Sequence, residues 1–73
     1  MSPNHFAVCI NNSGYEASLE LRKLYEVLPD SAAAKHGQIR VVDESGEDYL
    51  YPASFFLAVQ LPQSVAERVA QAA

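Results

Sequence analysis

The feature that most constrains this chain is its punctuation. Turn-forming residues recur at short intervals and cut the sequence into runs too short for long helices. The clearest unit is Ile39-Arg40-Val41-Val42, then Asp43-Glu44-Ser45-Gly46, then Asp48-Tyr49-Leu50-Tyr51. It reads as a strand, a tight turn and a returning strand. His5-Phe6-Ala7-Val8-Cys9-Ile10 reads as an earlier strand, with Phe6, Val8 and Ile10 expected on its buried face. Leu24-Tyr25-Glu26-Val27-Leu28 is another, stopped by Pro29-Asp30. Pro52-Ala53-Ser54 interrupts the ladder, because proline lacks an amide donor, and a last strand resumes over residues 55–59. Phe55, Leu57, Val59 and Leu61 would line one face of this segment and Phe56, Ala58 and Gln60 the other. Both faces are then largely apolar, and the outer one needs cover.

The connections are less determinate. Asn11-Asn12-Ser13-Gly14 is a strong turn signal, because Asn and Gly accept positive φ. Ser18-Leu19-Glu20-Leu21 fits a strand or a helical turn, and its alternation favours an irregular extended arm. Ser31-Ala32-Ala33-Ala34-Lys35-His36-Gly37 fits a short helical turn with a glycine stop, and equally a loop. Near the C-terminus, Ser64-Val65-Ala66-Glu67 has the spacing of a capping box, and Val65 and Val69 would share a helix face. That helix would cover the outer face of the sheet. Without it, a homodimer interface would have to.

Length and charge narrow the function classes. Seventy-three residues make one domain. A domain of this size buries only ~60% of its unfolded surface and has no room for an enclosed ligand cavity. A dinucleotide-binding domain is also excluded, since one βαβ unit alone needs ~30 residues. Five Lys and Arg face nine Asp and Glu, for a formal charge of −4. Arg22, Lys23, Lys35, Arg40 and Arg68 are scattered, so nucleic acid and anionic membranes are disfavoured, and a basic protein partner suits the charge better. The single Cys9 can form no internal disulfide, which fits a reducing, cytoplasmic setting. Residues 1–5 lack the charged and apolar regions of a signal peptide, and no run is long enough to span a membrane.

The stretch Gly46-Glu47-Asp48-Tyr49-Leu50-Tyr51-Pro52-Ala53-Ser54-Phe55-Phe56 resembles SH3 domains. These have a glycine turn, a short aromatic strand, and Pro-x-x-aromatic in a single 3₁₀ turn. Lys23-Leu24-Tyr25-Glu26-Val27-Leu28 is similar to an early strand of such barrels. The resemblance implies a mainly β fold: a five-stranded SH3-like barrel over residues 1–61 with a short C-terminal helix over 62–73. It also implies that Pro52 and Phe55 contact a peptide. The chain has no Trp and no Ala-Leu-Tyr-Asp-Tyr run, so polyproline reading is not implied. Residues 9–16 and 43–52 further resemble a family of uncharacterised small bacterial proteins, which adds no activity.

Few residues offer chemistry. His5, Cys9 and His36 are the soft metal ligands, but His5 and Cys9 on one strand would stand ~13 Å apart. Cys9 with His36 is the sole candidate for a thiol enzyme, and an apolar run would raise its thiol pKa rather than activate it. Glycines 14, 37 and 46 are isolated, so there is no phosphate loop. No cofactor, metal or enzymatic activity is expected. Asp43, Glu44, Glu47 and Asp48 flank Ser45-Gly46 and read as a solvated hairpin tip, or as a patch facing a basic partner. Tyr15, Tyr49 and Phe55 could form an exposed aromatic patch that grips a peptide or a second subunit. The expected function is therefore a non-enzymatic protein- or peptide-binding module, using Tyr15, Tyr49, Pro52, Phe55, Asp43, Glu44, Glu47 and Asp48. A nucleic-acid-associated barrel using Arg22, Lys23 and Arg40 is the alternative.

Overall fold

The computed structural model describes residues 5–71, and of residues 63, 70 and 71 the backbone alone. Residues 1–4 of the signal-peptide reading, and the last two of the expected C-terminal helix, lie outside this range. The elements are β1 (His5–Cys9), β2 (Leu24–Leu28), α1 (Ser31–Lys35), β3 (Gln38–Val42), β4 (Asp48–Pro52), a 3₁₀ turn (Ala53–Phe55), β5 (Phe56–Val59) and α2 (Gln63–Gln71). The strands form one antiparallel sheet in the order β4-β3-β2-β1-β5. β4 and β5 are its edges, and among the described residues no pairing joins them.

Each strand follows its alternation, but the buried face of β1 is the opposite of the one expected. Ala7 pairs with Tyr25 and Ala58, and Cys9 with Phe56. Val27 pairs with Val41, and Ile39 with Tyr51. These residues share one face, and Ala7, Cys9, Leu19, Tyr25, Val41, Tyr51 and Phe56 form the core cluster on it. Small side chains on β1 leave room for the rings of Tyr25, Tyr51 and Phe56. Phe6 is buried from the other side, Val8 is half-buried, and Ile10 is 46% exposed.

α2 lies beside that other side: Ala66 is buried, and Val69 lines a groove with Phe6, Leu24, Glu26 and Val42. Val65, expected to face the sheet, is 43% exposed. The helix starts one residue before Ser64, with the Pro62 carbonyl accepting from the Val65 and Ala66 amides at 2.9 Å each. Ser64 therefore sits inside the helix instead of capping it, and the inward stripe shifts to Ala66 and Val69. On β5, Phe56 points into the core, Ala58 and Leu57 are exposed, and Phe55 belongs to the 3₁₀ turn.

The two undecided segments also resolve. Residues 31–35 are helical because Asp30, in extended conformation, accepts from the Ala33 amide through Oδ1 at 2.9 Å. This is an N-cap contact. Gly37, at φ +68°, takes the left-handed conformation that ends the helix. Residues 10–23 form a folded loop without regular structure. Leu19 plugs it into the core at 0% exposure, Asn12 Nδ2 donates to the Leu19 carbonyl at 2.9 Å, and the Glu44 amide donates to the Ser18 carbonyl at 3.1 Å.

Candidate functional site

The β3–β4 turn is built around Asp43. Its amide donates to the Glu47 carbonyl and its carbonyl accepts from Gly46, both at 3.0 Å. Gly46 sits at φ +84°, the left-handed position such a hairpin turn needs. Asp43 Oδ1 accepts from the Ser45 amide at 2.9 Å and from Ser45 Oγ at 2.5 Å, as turn aspartates do. Asp43 Oδ2 accepts from the buried Tyr51 hydroxyl at 2.5 Å. At 7% exposure Asp43 is no solvated tip residue. The expectation of a wholly solvated acidic cluster fails here, because the hairpin curls the first carboxylate back over the core.

Charge state follows from these contacts. Burial alone would raise the Asp43 pKa, but donation from Ser45 and Tyr51 outweighs it and holds the carboxyl below its ordinary value. Burial, helped by the Asp43 carboxylate, pushes the Tyr51 hydroxyl up to about 12. Both groups stay locked in the donor–acceptor state that the bond requires.

Tyr51 is the hinge between two candidates that look separate in sequence. The Tyr15 ring meets Tyr51 edge-on, with centroids 5.0 Å apart, and meets Phe55 at 6.0 Å. Tyr15 is 41% exposed and Phe55 half-buried, so one side of this cluster is wet and the other rests on the core. The Tyr15 hydroxyl has no hydrogen-bond partner among the described residues. The loop holds the ring in place through backbone bonds from the Tyr15 amide to Asn12 and from Ser18 and Leu19 to the Tyr15 carbonyl. Half-buried Pro52 opens the 3₁₀ turn that delivers Phe55. Tyr15, Pro52 and Phe55, backed by Tyr51 and Asp43, thus make the candidate site.

The other expected residues go elsewhere. Tyr49 is 50% exposed, its hydroxyl donates to Glu47 at 3.1 Å, and no ring contact links it to Tyr15 or Phe55 among the described residues. Glu44 accepts from the Tyr25 hydroxyl at 2.5 Å and pairs with Lys23 at 2.5 Å. Asp48 pairs with Arg40 at 2.8 Å, and Arg40 also holds Asp30 at 2.9 Å. Tyr51 and Leu19 are the contributors that sequence reasoning missed. The two-residue spacing of Tyr49 and Tyr51 signals a shared face but not which ring the rest of the fold covers.

Cys9 is fully buried with its thiol on the Asn11 carbonyl at 3.3 Å, while His36 is exposed at the end of α1. Among the described residues no three His, Cys, Asp or Glu come together to hold a metal ion, and no helix is long and apolar enough to cross a membrane. Comparison with protein-family models, curated proteins and solved structures finds no match to this chain.

Proposed function

We propose that the protein is a small binding module for an extended peptide segment of another protein, received on the Tyr15–Pro52–Phe55 surface. The observation that carries this reading is the half-exposed ring of Tyr15, whose hydroxyl has no partner among the described residues, held edge-on against buried Tyr51. A rigid aromatic with an unpaired hydroxyl offers apolar area and a hydrogen bond at small entropic cost. The strand order, and the 3₁₀ turn between β4 and β5, support an SH3-like barrel as the scaffold. Pro52 and Phe55 would then act as that resemblance implies.

The nucleic-acid reading loses support from the ion pairs. Lys23 is held by Glu44 and Glu20, and Arg40 by Asp30 and Asp48. The thiol-enzyme reading loses support from the burial of Cys9. The test is selection of random displayed peptides on the immobilised protein. Selected peptides should bind the Tyr15→Ala variant about tenfold more weakly or worse, with the variant still folded at the assay temperature. Peptides that bind parent and variant alike would sink the proposal.

A further inference from the structure

The face of the sheet away from the core carries a second feature, one that no sequence motif marks. Phe6, Leu24, Glu26 and Val42 on the strands, Val69 on α2, and Lys23, Asp43, Glu44 and Gly46 around the β3–β4 turn line an open groove of about 520 Å³. Its floor includes one row across the sheet. Phe6 pairs with Glu26, and Val42 stands one step beyond the Val27–Val41 pair. Glu26 is thus a carboxylate in the middle of an apolar row, on a central strand, and half-buried.

No hydrogen bond or ion pair engages the Glu26 carboxylate among the described residues. The nearby ammonium of Lys23 is spent on Glu44 and Glu20. Three carboxylates therefore line the groove against one ammonium that is already paired. A carboxylate that no cation engages, set among apolar side chains, is complementary to a positive group that reaches it. The complement is a side chain with an apolar stem and a positive head.

We propose that this groove docks a lysine or arginine side chain of a partner polypeptide. The stem lies along Phe6, Leu24 and Val69, and the head meets Glu26. The groove lies on the other face of the sheet from the Tyr15 ring, and the two surfaces share only Asp43, which lines the groove and accepts from Tyr51 behind Tyr15. The experiment is a titration of the ¹⁵N-labelled full chain with the capped pentapeptide Ala-Leu-Lys-Leu-Ala and with the same peptide acetylated on the lysine amine. Saturable shifts should appear at the amides of Phe6, Glu26, Val42 and Val69. Affinity should fall about tenfold on lysine acetylation, by a similar factor in Glu26→Gln, and with added salt. Equal binding of the two peptides, no saturable shift, or shifts gathered on Tyr15 and Phe55 would each overturn the proposal. The acetylated peptide acts on the unaltered protein, so it decides the matter even if Glu26→Gln fails to fold.

Discussion

Arg22 shows how one residue can hold a conformation its side chain opposes. Its φ is +64°, the one positive value among described residues other than glycine. The Arg22 amide donates to the Cys9 carbonyl at 2.7 Å, and the Cys9 amide donates to the Lys23 carbonyl at 3.0 Å. Two residues thus oppose one, a bulge whose first position is usually glycine. A left-handed residue other than glycine costs about 1–2 kcal/mol. Glycine returns about 0.4–1 kcal/mol of that through the freer unfolded chain. Arg22→Gly should therefore raise the melting temperature by a few degrees, and the branched Arg22→Val should lower it. Thermal denaturation checks both, and shifts of the same sign would refute the strain argument. Nothing in the sequence marks Arg22, because only pairing with Cys9 imposes its backbone angle.

At the scale of elements, α2 is too short to persist alone, and packing decides whether it forms. Its purchase on the sheet is Ala66, 3% exposed, next to the groove wall formed by Val69. Phe6 is 5% exposed although it points away from the core cluster, and it shares the groove lining with Val69 of α2. Ala66→Asp should cost at least about 2 kcal/mol, through an unpaired buried charge. Urea denaturation measures this, and a change within about 0.5 kcal/mol would mean that α2 contributes no stability. Strand identity was legible in alternation, and β2 runs over the residues expected. The sense of burial was not. Whether Phe6 or Ala7 faces the core depends on the size of the cross-strand rings Tyr25, Tyr51 and Phe56, not on the pattern within β1.

For the molecule as a whole, polar contacts at the core margin set the pH range of stability. Asp43 lies below its ordinary 3.8 because Ser45 and Tyr51 donation outweighs burial. Asp30 lies below 3.8 through the Ala33 amide and then Arg40, and Glu44 below 4.5 through Lys23 and then Tyr25. The unfolded chain therefore takes up protons first on acidification. This stabilisation is present above those ordinary values and is lost as pH falls through the lower folded ones. Tyr51 has the opposite shift, from 10.0 up to about 12, and burial raises Tyr25 further. Their contribution holds below pH 10 and fades as pH rises through the folded values. Stability against urea should form a plateau with an acid and an alkaline limb, and Asp43→Asn should shrink the acid limb. An acid limb of full size in that variant would sink the assignment to Asp43.

Local chemistry was enough to mark the five strands and the Gly46 turn. Alternation and positive-φ tolerance act over a few residues and do not depend on the rest of the chain. Proline before Phe55 likewise announced the break between β4 and β5. Long-range contact decided what those elements do. Leu19 becomes core only because the loop folds back, and Asp43 leaves solvent only because Tyr51 waits beneath the turn. Glu26 stands unpaired only because the apolar neighbours Phe6 and Val42 come from strands distant in sequence. Burial and charge pairing are properties of neighbours in space, and no window along the chain contains them.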